Sequence, residues 1–184
     1  MLAQTVRLIL KGKETKFDRM WPISNSLFFL KMLKYLLNSK SSMARLEIHV
    51  TDKSELNDVL SIRRKVFTEE QGINPNADKD GLDEAADHII AIYDGLPVGC
   101  TRIRFLNGKA KLERLAVLRE YRSKGIATEI IKSTVEYCNS KKVNEIYFDA
   151  QYYLKGFYER FGFKVRGEPF EEVGIEHIEM YMEF

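Results

Sequence analysis

The sequence predicts a mixed α/β domain with a central sheet of six to seven strands flanked by helices. Three observations carry that prediction. Alternating apolar runs and stripes at helical spacing succeed one another in the order β-α-β-β-β-α-β-α-β-β from Leu46 to Phe184. Asn107-Gly108, between two such runs, is a two-residue hairpin signal. The segment from Leu112 to Ala127, LERLAVLREYRSKGIA, passes from an apolar strand through a basic, glycine-bearing loop straight into a helix.

Leu46–Val50 alternates in character and reads as the first strand. Asp52-Lys53-Ser54-Glu55 is a helix-start signal, an N-cap residue with Glu three positions later. Leu56, Val59, Leu60, Val66 and Phe67 then form an apolar stripe as far as about Glu70. Gln71 to Ala86 is a long acidic loop or loop-helix segment, and loops of that length are often functional. His88–Tyr93 and Val98–Phe105 are strands joined by the turn Asp94-Gly95-Leu96-Pro97, and the hairpin at Asn107 leads into the strand Lys111–Val117. After Gly125, Ile126, Ile130, Thr134 and Cys138 recur at helical spacing. Glu145–Ala150 is a strand, Tyr152–Phe161 a short helix, Phe163–Val165 a strand and Ile175–Phe184 a terminal strand.

Residues 43–184 therefore read as one domain, preceded by an extension over residues 1–42. Of 29 Lys/Arg and 27 Asp/Glu, the extension holds 8 and 2, so the net charge of +2 divides into +6 there and −4 in the domain. A nucleic-acid partner for an acidic domain is disfavoured, because affinity for phosphate backbones comes from clustered positive charge. Within the extension, Ser26–Leu37 is an apolar helix candidate interrupted by Lys31 and Lys34, too short to span a bilayer. It reads as sequence upstream of a start at Met43, as a basic membrane-surface helix, or as an extra packing helix. No run approaches 18 apolar residues, so no membrane span is expected and a cytoplasmic setting is. Cys100 and Cys138 are too few for a disulfide or metal framework and read as buried thiols. The three histidines lack ligand spacing, so no metal is expected.

The loop before the Ile126 helix carries the chemistry. Gly125 permits close approach of backbone to a ligand, and the unpaired N–H groups of a helix start make a ready anion site. A pyrophosphate suits it, with Arg122 and Lys124 adding charge. Neither G-x-x-x-x-G-K-[ST] nor G-x-G-x-x-G is present, which excludes the P-loop and dinucleotide fingerprints.

Arg122-x-x-Gly125-x-Ala127 does resemble motif A, (R/Q)-x-x-G-x-(G/A), of the GNAT superfamily of N-acetyltransferases, and Phe157–Phe163, FYERFGF, resembles a second hallmark. The resemblance covers roughly residues 45–184. It implies the GNAT acyl-CoA N-acyltransferase fold, in which strands 111–117 and 145–150 are parallel neighbours that splay apart. It further implies acetyl-CoA as co-substrate and direct transfer to an amine in a ternary complex. The backbone of Leu115, Ala116 and Val117 would then hold the pantetheine arm. Backbone N–H groups of Ser123, Lys124, Gly125, Ile126, Ala127 and Thr128 would hold the pyrophosphate, with Arg122 adjoining.

On the same resemblance Tyr158 is the general acid for the leaving thiolate; its phenol, pKa about 10, is protonated at neutral pH. An acceptor amine of pKa about 10.4 gives up its proton at pH 7 at a cost of roughly 4–5 kcal/mol. Glu113, on the cofactor strand, is the expected base, with a water chain as the alternative. Val66–Gly72, Asp80–Asp83, Asp87-His88 and Phe170–His177 resemble the ElaA/YjcF-like branch, which implies that Gln71, Asp83, His88 and His177 converge on the acceptor pocket. Asp78, Asp80, Asp83 and Glu84 would make that pocket acidic and suited to a cationic amine, unless they form a solvated loop. The acceptor is a small molecule or a peptide amine, and a homodimer is compatible with the resemblance. Two alternatives remain: a non-catalytic acyl-CoA-binding regulatory module, and an acyl-homoserine-lactone-synthase-like acyltransferase. The second is disfavoured, because Gly72-Ile73 stands where such enzymes carry Trp.

Overall fold

The computed structural model describes residues 45–172 and 174–184; the extension over residues 1–42 lies outside them. Seven strands form one sheet in the order β1-β2-β3-β4-β5-β7-β6. They are β1 (Leu46–Val50), β2 (Asp87–Tyr93), β3 (Leu96–Leu106), β4 (Lys109–Val117), β5 (Glu145–Gln151), β6 (Lys164–Glu172) and β7 (Ile175–Glu183). All pairings are antiparallel except β4 with β5.

Local chemistry explains the connections. Asp94-Gly95 and Asn107-Gly108 both adopt left-handed backbone at both residues, as a two-residue hairpin turn with the right twist requires. Strand β3 accordingly begins at Leu96, two residues before the sequence reading placed it. The predicted capping box is formed: the Asp52 carboxylate accepts from Ser54 N–H at 2.7 Å and Glu55 accepts from Asp52 N–H at 3.1 Å. Helix α1 (Leu56–Arg63) then continues as a π-helical segment, Arg64–Glu70. The acidic loop contains a short helix α2 (Pro75–Asp78) and a 3₁₀ turn, Asp83–Ala85. Helix α3 (Ile126–Ser140) follows Gly125, and α4 is shorter than expected, Lys155–Glu159. Strand β6 is longer than expected, because an irregularity between Arg166 and Phe170 absorbs Gly167 and Pro169 on an edge strand that tolerates both.

Helices cover both faces of the sheet. Val59, Ile62 and Val66 pack on Ile90, Cys100 and Ala116 from one side. Ile126, Ile130, Ile131 and Cys138 of α3 pack on the other, over Ile89, Val98, Ile103 and Val117. The second contact is close: a β-carbon added at Gly99 would lie 2.9 Å from Ile130 Cδ1 and 3.2 Å from the Ala116 carbonyl oxygen, so only glycine fits without displacement.

Strands β4 and β5 pair over three residues only, Lys109–Lys111 with Glu145–Tyr147, and then part. From Leu112 to Val117 the β5-facing edge of β4 has no ladder partner among the described residues. Opposite β3, Thr101 faces two residues of β4, Arg114 and Leu115, and Arg114 takes φ 57°, a bulge that turns the strand at the parting.

Candidate active site

The parting strands open into a cleft of about 360 Å³. Of the residues expected to hold the cofactor, Val117, Arg122, Ser123, Gly125, Ile126, Ala127 and Thr128 line it. Leu115 and Ala116 lie just behind on β4, Ala116 turned into the core beneath α1. Gly125 caps α3 with φ 80°, and Ser123 has φ 60°, so the loop curls in left-handed backbone into the helix start. The N–H groups of Ser123, Lys124 and Gly125 meet no acceptor among the described residues. Those of the first helical turn have none by construction. The result is a row of donors with the positive end of a helix dipole behind it.

The side chains of this loop are arranged differently from expectation. Arg122 does not present a free guanidinium to the cleft. Its Nε donates to the Val117 carbonyl at 3.0 Å and both terminal nitrogens donate to the Glu70 carboxylate, at 2.6 and 2.7 Å. Lys124 turns away: its ammonium sits over the rings of Tyr93 and Tyr121, 5.1 and 4.8 Å from their centroids. Three lining residues were not foreseen as such: Tyr121, Phe157 and Arg160. The FYERFGF segment was the available signal for the last two.

Tyr158, on α4, is 5% exposed and packed among Phe148, Phe157 and Phe163. Its hydroxyl has no hydrogen-bond partner among the described residues. Burial pushes its pKa up, with a further contribution from Tyr153, which keeps the phenol neutral. Both cysteines are buried free thiols pushed up to about 12 by burial, a poor state for a nucleophile.

Glu113 departs from its expected role as base. Its carboxylate accepts from Arg102 Nε at 3.0 Å and from Arg104 Nε and Nη2, both at 2.7 Å. Burial raises its pKa, but Arg104 and Arg102 outweigh that and hold it below the ordinary value. A carboxylate so engaged is a weak proton acceptor, so Glu113 is an ion-pair member.

It belongs to a larger network that also revises the acidic pocket. Arg63, fully buried on α1, binds Asp78 at 3.1 Å and Asp83. Arg102, 1% exposed, binds Asp80 through both oxygens at 2.7 and 2.6 Å and Asp83 at 3.0 Å. Arg114 reaches Asp78 at 3.0 Å. Four arginines thus neutralise Asp78, Asp80, Asp83 and Glu113, and only Glu84 of the expected acidic set stands exposed outside the network. The loop is not a free anionic pocket: most of its residues are exposed, but the carboxylates of Asp78, Asp80 and Asp83 are paired. It is pinned to β3 and β4 by buried charge pairs, a pattern the sequence carried in TRIRF, which sets Arg102 and Arg104 on one face.

Of the four expected acceptor residues, the structure brings Asp83 and His88 into contact. His88 joins Asp83, its Nε2 donating to the Asp83 carbonyl at 3.0 Å, and burial lowers its pKa so that it is neutral. Gln71 is exposed at the end of the π-helical segment. His177 lies on β7 beyond the parting, opposite Gln151 and stacked on Phe170 at 6.1 Å. A second cavity, about 390 Å³, lies at the paired end of β4 and β5; its charges Lys109, Glu145, Arg166 and Glu179 are already mutually paired.

The network makes a pH prediction. Asp80 is lowered chiefly by its Arg102 hydrogen bond, Asp83 by Arg63 and Arg102 against burial, and Glu113 likewise by its arginines. Depressed folded values give stability that is complete above the unfolded values of about 4 and is lost as pH falls further. The thermal midpoint, followed by circular dichroism, should hold between pH 7 and about 5 and fall below about 4. A midpoint that rises on acidification would contradict the ion-pair assignment.

Comparison with known proteins identifies the family and the fold. The family model described as "Acetyltransferase (GNAT) domain" matches residues 51–184. The uncharacterized N-acetyltransferase YjcF of Bacillus subtilis is 33% identical over 131 residues, 70% of this chain and 93% of that protein. The crystal structure of Escherichia coli ElaA superposes with a TM-score of 0.67 at 28% identity, covering 77% of this chain and all of that one. The fold is shared with PaiA N-acetyltransferase from Thermoplasma acidophilum, solved in complex with coenzyme A, at a TM-score of 0.59, 16% identity and coverage of 76% and 99%.

Proposed function

The chain belongs to the GNAT acetyltransferase family and is an acyltransferase, and on that premise we propose that residues 43–184 transfer an acetyl group from acetyl-CoA to the amine of a small molecule or peptide. The observation that carries this reading is the cleft where β4 and β5 part, floored by the unpaired N–H groups of the Gly125 loop.

The pyrophosphate of CoA is the anion that the loop suits, and the free edge of β4 from Leu112 to Val117 suits the amide-bearing pantetheine arm. The thioester then reaches Tyr158. The acceptor nitrogen attacks the thioester carbonyl carbon, the C–S bond breaks, and the leaving sulfur takes the phenolic proton of Tyr158. The amine's own proton passes to water, since Glu113 is held by Arg102 and Arg104, and solvent returns a proton to the Tyr158 phenolate. Transfer is direct, both thiols being buried and protonated.

The test is calorimetric titration of acetyl-CoA, followed by thiol release with a panel of amines. Binding with amine-dependent release supports the reading; absence of binding overturns it, and binding without release from any acceptor points to the regulatory alternative. In the same assay Tyr158→Phe should lower turnover by about 10²-fold or more with affinity for acetyl-CoA nearly intact. Unchanged turnover removes Tyr158 from the acid role.

A further inference from the structure

We infer that Arg160 is the side-chain cation that meets the phosphates of the cofactor, and that Arg122 is a latch holding the loop in shape. The inference rests on the proposed binding of CoA in this cleft and adds to it a residue that motif A does not contain.

Four cations are within or beside the loop, and the first, Arg119 on the turn after β4, is outside the cleft lining. Arg122 spends its fork on the Val117 carbonyl and the Glu70 carboxylate. Lys124 lies over Tyr93 and Tyr121, outside the cleft lining. Arg160, the residue that follows α4, is different. It lines the cleft, is exposed, and forms no salt bridge among the described residues; its guanidinium rests on the Phe157 ring, 5.3 Å from the centroid. A guanidinium stacked on a ring is aimed without its charge being neutralised, and its donor fork matches two phosphate oxygens. It lines the same cleft as the Gly125 loop, so an anion held by the loop's N–H groups shares that cleft with a cation that has no carboxylate partner among the described residues.

Latching Arg122 has its own use. Its bond to Val117 ties the end of β4 to the loop, and its pair with Glu70 ties the loop to the π-helical segment. Both contacts favour the curled backbone whose N–H groups point outward. The phosphate chemistry could come from the pyrophosphate or from the 3′-phosphate of CoA.

The experiment titrates the full chain, Arg160→Gln and Lys155→Gln with CoA and with 3′-dephospho-CoA by calorimetry. Lys155 lies on α4 outside the cleft lining and serves as the control for removing a charge. Arg160→Gln should bind CoA about tenfold more weakly, the loss of one charge-assisted contact, and Lys155→Gln should bind as the unsubstituted chain does. A loss equal for both ligands assigns Arg160 to the pyrophosphate, and a loss confined to CoA assigns it to the 3′-phosphate; both support the inference. Equal affinities of Arg160→Gln and the unsubstituted chain overturn it and leave the proposed function standing, as does an equal loss in Lys155→Gln. Failure of the unsubstituted chain to bind CoA overturns the proposed function itself, and this inference with it.

Discussion

Gly125→Val should weaken acetyl-CoA binding by about tenfold or more, with the loss read by calorimetry. Gly125 sits at φ 80°, where an L-residue is strained by roughly 1–2 kcal/mol and a β-branched one by more. The added side chain would strike nothing in the protein, since no atom lies within 4 Å of a β-carbon built there. It would project into the space that the ligand needs, or force the turn to relax and redirect its N–H groups. Gly125→Ala separates the two costs, carrying the backbone strain with the smallest side chain. Normal affinity in the valine variant would refute the loop as the seat of the pyrophosphate.

Arg63→Met should cost about 3–5 kcal/mol of stability, the range for breaking a buried ion pair from one side. Arg63 has no exposed surface, and its loss takes one of two arginine partners from each of Asp78 and Asp83, which are 7% and 12% exposed and keep only Arg114 and Arg102. Methionine fills much of the volume and donates nothing. Burial works against the Arg63 charge, yet the hydrogen bonds of Asp83 and Asp78 more than restore it. The check is urea denaturation at pH 7. Converting Asp78 and Asp83 to asparagine in the same chain should recover part of the loss, because the negative charges left with only one arginine each are then gone. A loss below about 1 kcal/mol would mean that the pair behaves as a surface bridge.

Most of the fold was legible because its signals are local. Asn107-Gly108, Asp52 with Glu55, and the stripe Ile126, Ile130, Thr134, Cys138 each fix a turn, a cap or a face without reference to distant residues. The backbone of the proposed cofactor cleft could be read for the same reason, since Gly125 and a helix start define the loop that lines it. What could not be read was which charges meet. The distances from Arg63 to Asp83 and from Arg102 to Glu113 span folds of the chain, so the acidic loop looked like a free anionic surface while its partners lay on α1, β3 and β4. Arg122 was misjudged likewise: its partner, Glu70, lies 52 residues earlier. The extent of β6 escaped because Gly167 and Pro169 argue against a strand unless it lies at an edge.

The brief pairing of β4 with β5 has a consequence for how the molecule holds together. Strands β1 to β4 pair in sequence order, while β7 inserts between β5 and β6 in the remainder, so the sheet consists of two leaves, each continuous in sequence, joined at a seam three residues long. The cleft borrows one wall from each leaf, Val117 and the Gly125 loop from the first and Phe157 with Arg160 from the second. A ligand seated there acts as a rivet across the weakest join. If CoA binds there as proposed, occupancy and cohesion of the domain are a single equilibrium, in which filling the cleft raises resistance to unfolding by mass action. The join is weakest where the ligand is to enter.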